Sequence, residues 1–376
     1  MTLVAEPPPP SKQTPSSPAP TPNSTKAPGP LSRLLHWRPT KKFGIEVGKW
    51  LVVYAASLVI FGAFVSVRHV HPWTMYHAMW SSTFTRYGMG QVLIKAGPFV
   101  LAALAVAVPA RAGIINIGGE GQLVIGATAA GGVGLALQNH ATGVPAMVLM
   151  ALAAAAAGAA WAGLAAVLKL AGNVSEAIST LLLNYIGVDV LAYLVYGPWK
   201  DKSGNGQPAS KPMARADFLP TVHVLKSHAG ILIAVVAALV VGWALTRTRW
   251  GFSLRAVGGN PEAARRAGLA VAALMLSAML VGGALAGLGG MVQYAGIEGQ
   301  LRPGLAAGYG YTGFLASWVG RHHAGKVTLA ALLLSTIAVA GDSLSLSSHL
   351  PGGAVNVLMA LVLLAVLAKR TRTAAA

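Results

Sequence analysis

Charged residues punctuate this chain at wide intervals, with long apolar stretches between them. Residues 50–67, 96–110, 121–168, 227–246, 267–297, 303–320, 327–341 and 343–368 hold no Asp, Glu, Lys or Arg. A bilayer core takes about 20 apolar residues per helix, so 121–168 predicts two helices, parted at Gln138, Asn139, His140 and Pro145. A further helix spans about 175–196 and tolerates Glu176 and Asp189. The pattern predicts an all-α transmembrane bundle of about ten spans: 48–67, 92–110, 114–136, 144–168, 175–196, 229–246, 271–294, 309–320, 326–346 and 353–368. The eighth is short enough for a half-span, which sets a range of eight to ten.

Composition agrees. The chain is 55% hydrophobic and 10% charged, against roughly 25% charged residues in a soluble domain. With no cysteine it has neither a disulfide framework nor a thiolate metal site. Residues 1–30 differ: ten of the 22 prolines fall there among Ser, Thr and Ala. Such a segment buries too little surface to offset its ordering entropy and reads as a disordered cytoplasmic tail. Residues 31–49, with Trp37 and five basic residues, suit an interfacial helix leading into a transmembrane domain over 50–370. Placing both termini in the cytoplasm puts 19 of the 28 Lys and Arg on the inside, as the positive-inside rule asks. The net charge of +18 is then mostly this bias and points to anionic lipid and a cytoplasmic partner, not to nucleic acid.

Some apparent chemistry falls away. The run G-Y-G-Y-T-G at 308–313 matches a dinucleotide fingerprint, but no strand precedes it. The run G-R-H-H-A-G-K at 320–326 resembles a phosphate loop, yet Val327 stands where a magnesium-binding hydroxyl belongs. His69, His71 and His77 cluster without a carboxylate, so an interfacial place beside Trp73 and Tyr76 explains them better than zinc. No nucleophile–base or paired-carboxylate arrangement appears. The sequence predicts no enzyme, no metal and no cofactor.

Three constellations stand out. In R-A-G-I-I-N-I-G-G-E-G-Q at 111–122, Asn116 and Glu120 share a helical face beside Gln122. A Gly-rich polar stretch at membrane depth must lie against protein or water; either it lines a solute pathway, or Glu120 sits at the interface and pairs with Arg111. In the second, Glu176, Thr180 and Asn184 recur every four residues, with Gly187 on the same side. That stripe packs helices or lines the pathway, while Asn173 and Glu176 have the spacing of a capping pair. In the inside loop 247–270, Asn260, Pro261 and Glu262 start a short helix and Gly268 stops it. An organised helix there suits docking of a cytoplasmic partner.

These blocks resemble the permease subunits of bacterial ABC importers in the ribose/branched-chain amino-acid permease superfamily, nucleoside/simple-sugar branch. The family's R-A-G-x-x-N-I-G-x-E-G-Q lies at 111–122; S-E-A-I-S-T-L-L-L-N-Y-I at 175–186, Y-G-P-W-K-D at 196–201, G-F-S-L-R-A-V-G-G-N-P-E-A-A-R at 251–265 and G-Y-G-Y-T-G at 308–313 follow in family order. The resemblance implies a non-catalytic subunit that moves a nucleoside or simple sugar across the cytoplasmic membrane by alternating access. Its implied partners are a cytoplasmic ABC ATPase, a second permease subunit, identical or not, and an extracytoplasmic solute-binding lipoprotein. Asn116, Glu120, Gln122, Thr180 and Asn184 would then line the pathway. Arg255, Gly258, Asn260, Pro261, Glu262, Arg265 and Gly268 would couple to the ATPase. The alternative class is an ion-coupled secondary transporter of a small polar solute. Residues 294–302 and 321–325 and the Pro-rich tail depart from the family pattern.

The charge bias yields a topology test. Single cysteines at Asn205 and Asn260, in a chain otherwise free of them, are expected to react with an impermeant thiol reagent on intact cells only at position 205. Reaction at 260 alone inverts the topology.

Overall fold

The structure, a computed structural model, describes residues 41–67, 69–138, 140, 142–204, 206–348, 356–361 and 364. The Pro-rich tail, both chain ends, Asn205 and most of the expected tenth span lie outside the described residues. Two compact units divide the chain after Leu51. The helices are α1 (Lys41–Ser66), α2 (Pro72–Thr83), α3 (Arg86–Ala110), α4 (Gly119–Leu137), α5 (Val144–Gly172) and α6 (Glu176–Tyr196). A loop with a two-residue hairpin, β1 (Thr221–Val222) against β2 (Ser227–His228), leads to α7 (Gly230–Arg247). Then come α8 (Arg249–Gly259), α9 (Pro261–Arg266), α10 (Val271–Gln293), a π-helical turn Tyr294–Glu298, α11 (Tyr309–Val319) and α12 (Ala324–Ser348).

Seven of these helices are long and apolar enough to cross a membrane: α3 to α7, α10 with its π turn, and α12. The apolar part of α1, Ala55–Ser66, is shorter, and α11 is a half-span. Several boundaries differ from the sequence expectation: α2 has no counterpart among the expected spans, and α3 begins at Arg86, not near 92. The third expected span begins at Gly119 and not near 114, because Gly113 (φ +77°) and the extended residues after it break the helix. The inside loop 247–270 contains two helices where one was expected, since Thr248 caps α8 by accepting from the Gly251 N–H at 3.2 Å.

The centre of the bundle is α3, whose residues from Ala96 to Pro109 are all buried. Against it pack α10, α12, α11 and α7, with α5 and α4 on other sides of α10. Without water to drive helices together in lipid, close backbone approach must supply the attraction. The small-residue face of α10 does this: Gly282 meets Ala105 and Pro109 of α3, Gly283 and Gly287 meet Ala154 and Gly158 of α5, and Gly290 meets Leu123 of α4. The outward faces of α5, α6 and α7 carry exposed Leu152, Leu182 and Leu239, as lipid-facing helices should.

Lys95 of α3 forms an ion pair with Asp342 of α12. His71 precedes α2 and Pro72 opens it. No group of metal-binding side chains forms among the described residues.

At Gly287 a β-carbon would strike the Ala154 carbonyl. Overpacking of this kind costs about 1–3 kcal/mol. Gly287→Val is therefore expected to lower the melting temperature in detergent and reduce membrane accumulation, while Leu239→Val on the lipid face leaves both unchanged.

Candidate functional site: a half-helix capped inside the membrane

The chain leaves α3 through a turn in which the Ala112 and Ile114 N–H groups donate to the Pro109 carbonyl at 2.9 and 3.1 Å. It then runs extended to Gly118, the N-cap of α4. Asn116, fully buried, holds this stretch: its Oδ1 accepts from the Gly118 N–H (3.0 Å) and from Gln122 Nε2 (2.9 Å). Its Nδ2 donates to Gln122 Oε1 (3.0 Å) and to the Ala105 carbonyl (3.3 Å). Two amides thus close on each other and pin the break to α3.

From the opposite side, α6 delivers its polar stripe. Thr180 Oγ1 accepts from the Ile117 N–H at 3.2 Å. Asn184 accepts from the Gly121 N–H at 2.7 Å and donates to the Ile117 carbonyl at 3.0 Å. Both are about as buried as Asn116, and Gly187 lets α6 lie directly on Gly121. The stripe therefore packs α6 against α4 and satisfies backbone groups that the break has freed. Glu176 has a different neighbour from the one its spacing suggested. Asn173 is the left-handed C-cap of α5 (φ 49°), Ser175 precedes α6, and Glu176 pairs with Lys169 at 3.1 Å.

Glu120 completes the site. Its carboxylate accepts from the Gly308 N–H at 2.6 Å and the Gly310 N–H at 2.7 Å, at the start of α11. The first N–H groups of a helix have no partner within it and carry the positive end of its dipole; a carboxylate from another helix answers both. Gly308 adopts φ +85°, and a β-carbon on Gly310 would collide with the Glu120 backbone. The G-Y-G-Y-T-G run is thus the seat of a carboxylate. The expected pairing of Glu120 with Arg111 does not form. Arg111 donates to the His322 carbonyl at 2.7 Å, and its guanidinium pKa is lowered, first by burial and then by nearby Arg255.

At 1.5 Å per residue, α11 covers roughly half of a ~30 Å hydrocarbon core. Because α12 starts beside its far end, the N-terminus of α11 lies near mid-depth. The five predicted residues Asn116, Glu120, Gln122, Thr180 and Asn184 meet there, around one discontinuity. Residues Gly299–Gly308 approach it as non-helical chain, with 302–304 and 307 exposed and open space beside Gly304 and Gly308.

A family model described as branched-chain amino acid transport system / permease component matches residues 88–367. The chain belongs to this permease family. The glucose ABC transporter permease protein TsgB13 of Haloferax volcanii is 37% identical over 85% of this chain and 87% of its own length. The guanosine ABC transporter permease protein NupP of Bacillus subtilis is 33% identical over 77% and 84%. The nucleoside ABC transporter permease protein NupB of Lactococcus lactis is 26% identical over 66% and 71%. No solved structure matches the chain. The protein is thus a multi-pass, non-catalytic permease subunit of an ABC importer in the bacterial inner membrane, which removes the ion-coupled alternative.

In this permease the residues expected to meet an ATPase cluster at the other end of α10. Asn260 Oδ1 accepts from the Glu262 and Ala263 N–H groups, both at 3.0 Å, with Pro261 as the first helical residue of α9. Glu262 pairs with Arg265 (2.9 Å) and Arg266 (3.2 Å) on the exposed face. Gly268, at φ +83°, follows the helix end. Arg255 donates to the Leu245 carbonyl. Gly258 rests on the backbone of Arg111 and Gly113, a contact between two motif blocks that their sequence separation concealed.

Replacing Glu120 by Ala strips two N–H groups of their partner, at about 1–3 kcal/mol each. Glu120→Ala is expected to lower the melting temperature markedly and Glu120→Gln to lower it less, since an amide keeps one acceptor. A melting temperature equal to the parent's in the alanine variant removes the capping role.

Proposed function

We propose that this permease carries an uncharged, hydroxyl-rich solute, a nucleoside or a simple sugar, inward past the discontinuity between α10 and α11. The observation behind this reading is the exposed, non-helical stretch that descends to mid-depth. Irregular backbone is tolerated at that level only against protein or a water-filled cavity. The groups gathered around it are Asn, Gln and Thr, with one carboxylate already neutralised by a helix end. Such a wall presents polar groups without a free charge, which suits neutral solutes and not amino acids. Of the relatives' named cargoes, glucose and guanosine carry neighbouring hydroxyls on an uncharged sugar ring, as do ribonucleosides among the nucleosides.

On this reading the chain works as one of two permease subunits, with both termini in the cytoplasm. An extracytoplasmic solute-binding lipoprotein delivers the solute, and a cytoplasmic ABC ATPase docks on α8 and α9. The five network residues act by holding the pathway wall, since their polar atoms are engaged in this conformation. Arg255, Gly258, Asn260, Pro261, Glu262, Arg265 and Gly268 shape the docking surface.

The test is uptake of labelled guanosine, glucose and leucine into vesicles carrying the full complex. Guanosine or glucose is expected to accumulate with ATP and leucine is not; accumulation of leucine alone overturns the assignment. In the same vesicles Arg265→Glu breaks the ion pair with Glu262 and reverses the docking charge. It is expected to abolish uptake while the permease still inserts, and wild-type uptake removes the docking role.

A further inference from the structure

Above the discontinuity, at the end of α10, lies a second polar group that the network does not use. The π turn Tyr294–Glu298 re-aims the end of α10, and π-helical turns of this kind recur at functional sites. Glu298 Oε2 accepts from Arg302 Nη2 at 2.5 Å, and its Oε1 accepts from Gln293 Nε2 at 3.2 Å. Gln293 also donates to the Leu305 carbonyl at 3.0 Å, which fixes its amide. Its Oε1 is buried and has no partner, in a residue only 2% exposed. The Arg302 side chain is 53% exposed and that of Glu298 12%, so the pair sits at a boundary between packed protein and open space. Two residues beyond Arg302, a β-carbon on Gly304 would likewise meet nothing within 4 Å.

We infer that Gln293, Glu298 and Arg302 form a solute-recognition site for a pair of vicinal hydroxyls. This rests on the proposed pathway beside residues 299–308 and names the chemistry read along it. A hydroxyl donates one hydrogen bond and accepts others, so it needs an acceptor and a donor side by side. A carboxylate has about four acceptor positions and a guanidinium five donors; here they hold each other through one contact and keep the rest. Two neighbouring hydroxyls can each donate to Glu298 and accept from Arg302, while the buried Gln293 amide holds the carboxylate in place. The ion pair leaves no net charge, which matches a neutral solute and disfavours carboxylates and phosphates. A solute with a single hydroxyl leaves part of the pair unanswered, and sites built to bond a hydroxyl discriminate strongly against its loss.

Two measurements test this. In vesicles carrying the full complex, supplied with saturating solute-binding protein, uptake of guanosine and glucose is compared with that of 2′-deoxyguanosine and 3-deoxyglucose. Because the binding protein is unchanged, any shift in preference belongs to the permease. Glu298→Gln is expected to cut uptake of the parent solute about tenfold or more, and that of its deoxy analogue less than about twofold. An equal fall for both, or no fall, overturns the site.

The second measurement does not depend on transport. In the full complex, Pro303→Cys is labelled by an impermeant thiol reagent with ribose, glucose, inositol or leucine present. The polyols are expected to slow labelling at least about threefold and leucine to leave it unchanged, with the protection lost in Glu298→Gln. Failure of every polyol to protect overturns the site. Polyol protection without uptake of guanosine or glucose keeps the site and overturns the solute assignment instead.

Discussion

A helix that begins inside a bilayer must find partners for its first N–H groups, because hydrocarbon supplies none. In this permease that constraint falls on α11, and Glu120 meets it from another helix. Much of the surrounding architecture follows. For Glu120 to reach Gly308 and Gly310, α4 must start at a break and lie directly on α11, which takes glycine at 310. The break frees backbone groups of its own at Ile117, Gly118 and Gly121, and these are answered by Thr180, Asn116 and Asn184. Thr180, Asn116 and Asn184 each answer a backbone group that the break leaves unpaired, and Gln122 holds the Asn116 amide in place. Low dielectric makes such a network valuable when complete and costly when any member is removed.

The same break ties the membrane interior to the cytoplasmic side. Gly258 at the end of α8 rests on the Arg111–Gly113 turn, and the chain from that turn reaches Asn116 within a few residues. On the proposed docking of the ATPase at α8 and α9, a shift of these helices would press first on the turn that sets the start of α4. The route is short because Gly258 lacks a side chain: a β-carbon there would meet the Arg111 carbonyl.

Most of the fold was legible in the charge spacing, because uncharged runs long enough to span a bilayer have few other uses. The helix α9 was legible as well, since Asn260, Pro261 and Glu262 form a local start signal that needs no tertiary information. What the residues alone left open was which polar groups meet. Glu120 and Gly308 are far apart in sequence, and the most local partner, Arg111, was the wrong one. Asn173 and Glu176 had capping spacing, but the chain between α5 and α6 turns left-handed at Asn173 and parts them. The helpful signal was joint and non-local: an isolated carboxylate in one span and a half-length span opening with glycines elsewhere. Gln293 carried no such signal, because an amide at the end of an apolar helix reads as an ordinary helix end.

The two ends of the discontinuity are held by different kinds of bond, and this bears on which end opens. Toward α4 it is held by side chains buried in the bundle, above all Glu120. Toward the loop between α6 and α7 it is held by backbone pairs: Ser210 N–H to the Leu301 carbonyl (2.9 Å), Met213 to Gly299 (2.7 Å) and Leu219 to Ala295 (2.9 Å). Exchanging a backbone pair for water costs only about 0.5–1.5 kcal/mol, so three of them sum to an amount that a bound partner's differential affinity can supply. Exposing Glu120 would leave two N–H groups and a carboxylate to be resolvated together. The loop side adds a side-chain bond, the Leu301 N–H to Ser210 Oγ at 3.0 Å, and lies at the same end of α10 as Gln293, Glu298 and Arg302. On the proposed pathway, a solute arriving from that side meets Glu298 and Arg302 before it meets the capped half-helix.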